Sequence, residues 1–521
     1  MILSSPFVDR DLAERQIPRD TLEIAQGQIE ALHNGGSYLE IVRSATVKDG
    51  IVRLTEEQAT YYQQLFEALR AKKSILKFIP ASGIGSRMFS ELYSYLNELQ
   101  TPPALTHTES NHRNGSQRVS SFLENIHEFA FAPNLEQSLG EPLSQAIRKG
   151  RIRDILEHLL TERGLNYGQL PKGLLPFHEY QGVSRTPFEE HLIEAAQYAT
   201  DADGKVHLTF TVSPTQLEKF QSLLAKVKDT YEKSFGVSYQ IQFSPQKEST
   251  YRMMVSMDHE IIRDEEGKVA LQAGGHGSLL ENLNEVEADI IFIKNIDNVI
   301  PDPLKQANYT YKKVLAGILL ELQERTFDLL REAEKHIYPE ASWIEHTTHL
   351  LEQELGFRPP DDFHALAPEE KTTYLIRKLN RPIRVCGMVK DHGEPGGSPY
   401  WALQSDGSTS LQIVEHEQVD WKDEKQNLIC QASTHFNPVD IVCGTNDFRG
   451  NSFNLLNFRD VQAGFISQKS INGKEVKSYE LPGLWNGGMA DWNTLFVEVP
   501  RITFHPVKTI FDLLNQKEYH S

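Results

Sequence analysis

The sequence predicts an α/β protein built on a mixed, mostly parallel sheet and interrupted by long helical stretches. Three observations carry this expectation. Residues 206–243 alternate strand, helix and strand; apolar runs at 74–80 and 289–296 read as buried strands ending in polar turns; and helical spacing fills about 88–170 and 304–379. A strand, a helix and a second strand in that order make a βαβ unit, whose two strands pair in parallel.

Taken in order, residues 1–73 read as an N-terminal helical region, because Leu and Ile recur among Glu, Gln and Ala from Arg19 to Arg70. Residues 74–302 read as the core, with a helical insertion at about 89–168 that includes a loose polar segment from Thr106 to Gln117. Within the core, Val206 to Val212 is strand-like, and Ser213 and Gln216 have the spacing of a capping box. Pro214 then suits the first turn of a helix that leads into the strand Val237 to Phe243. Residues 303–380 form a second helical insertion, and 381–521, mostly strands to Phe504, complete the core. No fixed-period repeat is present, which excludes a solenoid.

Composition narrows the function classes. With 53 Lys plus Arg against 72 Asp plus Glu, the net charge of −19 opposes DNA, RNA and anionic membrane as partners. Cys386, Cys430 and Cys443 are odd in number and lack zinc or disulfide spacing, so a reducing compartment is expected. No positively charged start precedes an apolar run, and no stretch reaches the roughly twenty apolar residues of a membrane span. The expected location is the cytoplasm, and oligomeric state is left open.

Three short stretches carry the chemistry. The first, Phe78-Ile79-Pro80-Ala81-Ser82-Gly83-Ile84-Gly85-Ser86-Arg87-Met88, is a strand, a glycine turn and an arginine. Gly83 and Gly85 are expected to take positive φ and let the backbone, with Ser82 and Ser86, approach a phosphate group, to which Arg87 adds a fork of donors. It is neither a Walker A loop nor a dinucleotide fingerprint, since Gly-Lys-Ser/Thr and G-x-G-x-x-G are both missing. The second is the glycine turn Gly274-Gly275-His276-Gly277. The third is the apolar strand ending in Asp297-Asn298, which delivers a carboxylate of the kind magnesium takes. Read alone, Asp297-Asn298 is equally a polar turn after a core strand.

A series of matches in chain order adds to this reading. The glycine turn with Gly-Ser-Arg-Met, followed by Pro171-Lys172-Gly173, resembles the signature of sugar nucleotidyltransferases, although here a helical insertion separates the two parts. Phe243-Ser244-Pro245-Gln246, the Gly274 to Gly277 turn, the Phe292 to Asn298 strand, Leu411 to Glu417 and Phe504-His505-Pro506-Val507-Lys508-Thr509 resemble, in the same order, segments of the UDP-sugar pyrophosphorylases. The chain as a whole, including Arg185-Thr186-Pro187-Phe188-Glu189-Glu190-His191, resembles an uncharacterised bacterial family of unknown function.

The resemblance implies a GT-A-like, Rossmann-like nucleotidyltransferase fold and transfer of a uridylyl group from UTP to a sugar 1-phosphate, with Mg2+ as cofactor. It assigns Arg87, Lys172 and Lys508 to catalysis, and Ser82, Gly83, Gly85, Ser86, Gln246, Gly274, Gly275, His276 and Gly277 to the nucleotide. Asp297 goes to the metal, while Glu415, Asn437 and Lys390 go to the sugar side. Glu415 shares the parity of Leu411 and Ile413, which puts it on an inward strand face; Asn437 rests on position, and Lys390 stands beside a glycine-rich loop. Lone lysines are ordinarily solvated, so Lys172 and Lys508 draw their meaning from the series. His346 and His349 lack a zinc motif and read as a solvated helix face, and the Trp485 to Trp492 segment reads as pocket wall or loop packing, with Asp491 not assigned to the metal. A UDP-sugar-using glycosyltransferase and a catalytically silent nucleotide-sugar-binding protein are the alternative readings.

Overall fold

The computed structural model describes residues 28, 32, 38–100, 109–258, 260–264, 266–335, 340–393, 396–471 and 474–519. The expected helical start from Arg19 and the Thr106 to Thr108 part of the loose segment lie outside these residues. The chain divides into two compact units that alternate along the sequence: residues 1–78, 244–293 and 311–501 in the first, and 79–243, 294–310 and 502–521 in the second.

The first unit holds a mixed sheet in the order Ile51–Val52, Asn493–Glu498, Ile383–Lys390, His435–Gly444, Ile290–Lys294, Ile75–Pro80. Asn493–Glu498 runs parallel to both of its neighbours, and residues 290–293 pair in parallel with 75–78. Ile383–Lys390 and His435–Gly444 are antiparallel, with an irregularity between Gly387 and Val389. The strand Ile290–Lys294 is buried at every position, as expected for a strand covered on both faces. Trp401, Trp485, Trp492, Ile291, Ile441 and Phe496 share one core with it. Two antiparallel sheets complete the unit, one of Ile41–Ser44, Ser398–Leu403, Thr409–Val414 and Phe357–Arg358, the other of Phe465–Ile471, Lys474–Glu480, Arg252–Ser256 and Leu271–Gln272.

The N-terminal region departs in part from the helical expectation: Gln28 and Leu32 are helical, but Ile41–Ser44 and Ile51–Val52 are strands ahead of the helix Glu56–Leu69. The tight link between the strands includes Gly50 at φ 102°, and Ile41 and Ile51 are buried where a helix face was inferred from spacing alone. Thr55 and Gln58 then close a reciprocal cap that starts the helix. The second helical block is present as Lys305–Lys335, Ala341–Gln353 and Pro368–Leu379.

In the second unit the strand Lys205–Val212, the helix Leu217–Phe235 and the strand Ser238–Pro245 follow the expected order. The Ser238 N–H donates to the Gly204 carbonyl at 2.9 Å, which brings the two strand starts together as a parallel pair requires. Ser213 does not form the expected cap; its hydroxyl lies 3.0 Å from that of Thr215, and Pro214–Gln216 is a 3-10 turn ahead of the helix. The helix ends at Gly236, whose φ of 64° gives the left-handed stop that favours glycine.

The 89–168 insertion is a helical cluster of Ser90–Gln100, Glu109–Glu124, Ala132–Leu139, Leu143–Arg148 and Ile152–Leu160. The segment read as loose to Gln117 is therefore helical from Glu109. Phe122, Phe129, Phe131, Leu156 and Leu160 form its core with Val299, Val507 and Leu513.

Candidate functional site

In the second unit the glycine turn and the Pro171-Lys172-Gly173 segment meet despite the insertion between them. Ile84 and Pro171 form a β-bridge, the Gly85 N–H donates to Leu170 O at 2.8 Å, and the Lys172 N–H donates to Gly83 O at 3.0 Å. The two ends of the insertion thus lie side by side.

The reason for the glycines differs from the one inferred. Neither Gly83 nor Gly85 has positive φ. A Cβ on Gly85 would lie 3.1 Å from Leu175 and from the Tyr167 carbonyl, so this glycine permits the close approach of the returning segment, and its N–H is spent there rather than on a ligand. Gly83 is exposed with open space where its Cβ would stand, and Ser86 and Arg87 are exposed beside it. Gly173 is needed for packing, since a Cβ there would come within 2.9 Å of Ile296.

Asp297 follows the buried strand and lies where three remote parts of the chain converge. The Val507 N–H donates to the Asp297 carbonyl at 3.0 Å, and the His505 N–H donates to Asn298 Oδ1 at 3.1 Å. This pairing carries Lys508 to the carboxylate. Asp297 Oδ2 accepts from Lys172 Nζ at 2.8 Å and from Lys508 Nζ at 3.3 Å, and Lys172 Nζ also donates to Val507 O at 2.6 Å. Asp512 Oδ2 fixes the turn after Lys508 by accepting the Lys508 and Thr509 N–H groups at 2.8 and 2.7 Å.

The two lysines are unlike. The Lys172 side chain is 11% exposed and that of Lys508 is 47% exposed. Burial pushes the Lys172 ammonium below its ordinary value, Asp297 opposes that shift, and the charges of Lys508 and Arg87 reinforce it. For Asp297 burial pushes upward, but Lys508 and Lys172 together hold its carboxyl well below the ordinary range.

The first unit carries the second glycine turn, tied down from several sides. Gln246, which is buried, donates through Nε2 to Gly274 O at 2.9 Å and to the Ser278 hydroxyl at 2.5 Å, so its amide nitrogen shapes the turn. Glu480 Oε2 accepts the Gly275 N–H at 3.2 Å, and Glu480 is itself ion-paired with buried Arg252. A Cβ on Gly277 would collide with the Pro482 and Leu481 carbonyls at 2.5 and 2.7 Å. His276 stacks on Trp485 with ring centres 4.0 Å apart, and its Nδ1 accepts the Leu484 N–H at 3.0 Å. The proton of the neutral ring therefore sits on Nε2, which lies 3.8 Å from Glu415 Oε1. Burial holds the imidazole down, to about 4, so it is neutral near pH 7.

Glu415 is not on a strand face: the strand ends at Val414, and residues 411–414 are all buried, so parity carries no information there. Glu415 instead caps the turn His416–Gln418. Asn437 is buried in the strand His435–Gly444; its Oδ1 accepts the Val439 N–H at 3.1 Å, and its Nδ2 is buried without a hydrogen-bond partner. Val439 has φ 58°, a strained conformation for a β-branched residue. Lys390 is exposed at its strand end, opposite His435 in register. Asp491 is ion-paired with Arg381 at 2.9 Å, and His346 and His349 are exposed on their helix.

Sequence reasoning missed Glu480, Arg252 and the stacking role of Trp485. Its available signal was the density of tryptophan and glycine at 485–492, which did not reveal the partner. It also passed over Glu190, His191 and Glu194, three polar groups inside a helix that is buried from Pro187 to Ala195.

Fold and site define an α/β protein with a lysine-flanked buried carboxylate in one unit and a braced glycine turn in the other. The chain belongs to the family described as Domain of unknown function (DUF4301), whose match spans residues 9–520. No curated protein matches it. Among solved structures it is similar to the uridine diphosphate N-acetylglucosamine pyrophosphorylase from Trypanosoma brucei in complex with inhibitor, at 13% identity and TM-score 0.48, over 95% of this chain and 74% of that one. A UDP-glucose pyrophosphorylase mutant from Leishmania major in complex with UDP-glucose matches at 11% identity and TM-score 0.43, over 98% and 78% of the respective chains. The inositol-1-phosphate CTP transferase from T. maritima matches at 8% identity and TM-score 0.28, over 67% and 89%.

Proposed function

We propose that the protein is a nucleotidyltransferase that forms a UDP-sugar and pyrophosphate from UTP and a sugar 1-phosphate. The observation that carries this reading is the convergence of Lys172, Asp297 and Lys508, from three distant parts of the sequence, beside the turn that bears Gly83 and Arg87. In a protein of net charge −19, such a concentration of cations next to an open glycine turn suits a polyphosphate.

In the reaction, an oxygen of the sugar phosphate attacks the α-phosphorus of the triphosphate and the bond to the bridging oxygen of pyrophosphate breaks. Catalysis then rests on positioning and charge neutralisation. Lys172, held by Asp297 and Val507 O, would be the fixed cation, and Lys508, with its exposed side chain, the one that reaches for a phosphate oxygen. Arg87 would bind the phosphates from the turn.

Asp297 is a hard oxygen donor on a buried turn. Among the described residues no group of three or more His, Cys, Asp or Glu side chains is arranged to hold a metal ion. One carboxylate shared with substrate phosphates fits magnesium, which commonly takes one or two protein carboxylates. When bound there, the ion would supply positive charge to the phosphates. In the first unit, the braced turn with His276 would serve the base and ribose. Glu415 and the unsatisfied Asn437 amide would hydrogen-bond sugar hydroxyls and Lys390 would meet the sugar phosphate, with Gln246 acting on the base through the turn it shapes.

The test is pyrophosphate release with magnesium from a panel of nucleoside triphosphates and sugar 1-phosphates. UTP with one sugar phosphate is expected to turn over, and Asp297→Ala is expected to abolish that turnover without loss of fold. Binding of UDP-sugars with no pyrophosphate from any pair would refute the reading in favour of a glycosyltransferase or a silent binder.

A further inference from the structure

In the second unit the helix Pro187–Tyr198 is buried throughout its first turns, yet it carries Glu190, His191 and Glu194, each 0% exposed. Burying such groups is costly unless each is paired, so their partners reveal what the helix holds. Glu194 accepts from Lys294 Nζ at 2.8 and 3.1 Å. His191 Nε2 lies 3.2 and 3.3 Å from the carbonyls of Asn295 and Ile296. Glu190 is paired with Lys305 and with His178 Nδ1, the latter at 2.7 Å; Lys305 in turn meets Asp302, which Arg185 clamps at 2.9 and 2.7 Å.

All three polar groups of one helix face therefore reach residues between Lys294 and Lys305, on both sides of Asp297. A buried ion pair adds little net stability over an apolar pair of the same volume, whereas it fixes position. We propose that this helix is a positioning device for Asp297, with Glu190, His191 and Glu194 setting where the carboxylate stands against Lys172 and Lys508. The proposal deepens the nucleotidyltransferase reading and rests on it for its kinetic arm only. None of the three side chains need touch substrate.

The test replaces one ion pair by an apolar pair, Glu194→Leu with Lys294→Met, in the full chain. The expected result is an unchanged or higher melting temperature, amide exchange in peptides covering residues 294–305 at least tenfold faster, and unchanged exchange in the strand Lys205–Val212. In the pyrophosphate assay kcat is expected to fall at least tenfold with KM for UTP within about twofold, as lost alignment rather than lost binding requires. Unchanged exchange at 294–305 would overturn the proposal, even if the wild type shows no turnover and the functional reading has failed by itself. Faster exchange with unchanged kcat in an active enzyme would also overturn it. Should the double variant not fold, Glu190→Gln, which keeps the shape and removes the charge facing Lys305, is read by the same two measurements and the same criteria.

Discussion

Replacing Lys172 and Lys508 one at a time by methionine separates a buried cation from an exposed one on the same carboxylate oxygen. Lys172→Met removes the 2.8 Å contact to Asp297 and the 2.6 Å contact to Val507 O, and leaves a carboxylate whose side chain is only 10% exposed. Breaking a buried pair from one side costs about 3–5 kcal/mol. The remaining Lys508 ammonium, 3.3 Å from the same oxygen, and the apolar burial gained by methionine bring the expected loss to about 2–3 kcal/mol. Lys508→Met removes a half-exposed, solvent-screened partner, and about 0–1 kcal/mol is expected. The five tryptophans, Trp343, Trp401, Trp421, Trp485 and Trp492, all lie in the first unit, and none reports from the residues around Lys172 and Asp297. Urea unfolding should therefore be followed by hydrogen exchange of peptides from residues 79–243. Asp297 has a depressed pKa, so its stabilisation is present above its ordinary value of 3.8 and is lost as pH falls through the lower folded value. The difference between wild type and Lys172→Met should accordingly be largest near neutral pH and shrink under strong acid. A neutral Lys172→Met, or a Lys508→Met that costs as much, would refute this account of the charge cluster.

Three further outcomes are expected. Gly277→Ala places a Cβ 2.5 Å from the Pro482 carbonyl and should cost about 1–3 kcal/mol of first-unit stability, read by tryptophan fluorescence. Gly83→Ala meets nothing within 4 Å, so stability should stay within about 0.5 kcal/mol while KM for UTP rises at least tenfold if phosphates approach that backbone. His276, held near 4 against an ordinary 6.5, favours the folded state fully above about pH 6.5, and this contribution is gone below about pH 4. The resulting loss of about 3 kcal/mol across that window should be absent in His276→Asn, as measured by urea unfolding at several pH values; equal slopes in the two proteins would contradict the assignment.

The buried strand before Asp297, the βαβ order and the helical insertions were legible because continuous apolar runs and helical spacing report directly on burial. The convergence of Lys172, Asp297 and Lys508 was expected from motif order, and it could not have come from spacing, since these residues are brought together by backbone pairing at Pro171 and Val507. Where the reading was too simple, local signals had two meanings. Gly85 serves packing against Leu170 and Leu175 rather than positive φ, and Glu415 caps a turn although its parity matched a strand. Ile41–Ser44 is too short for period-two alternation to compete with helical spacing around it. The polar helix face of Glu190, His191 and Glu194 was given no role because nothing in one helix records the lysines that meet it.

The contacts at Asp297 span 125 positions to Lys172 and 211 to Lys508. During synthesis, then, the cluster is assembled late: until Val507 and Lys508 have been made, the carboxylate lacks its exposed cation and Lys172 lacks the backbone carbonyl that anchors it.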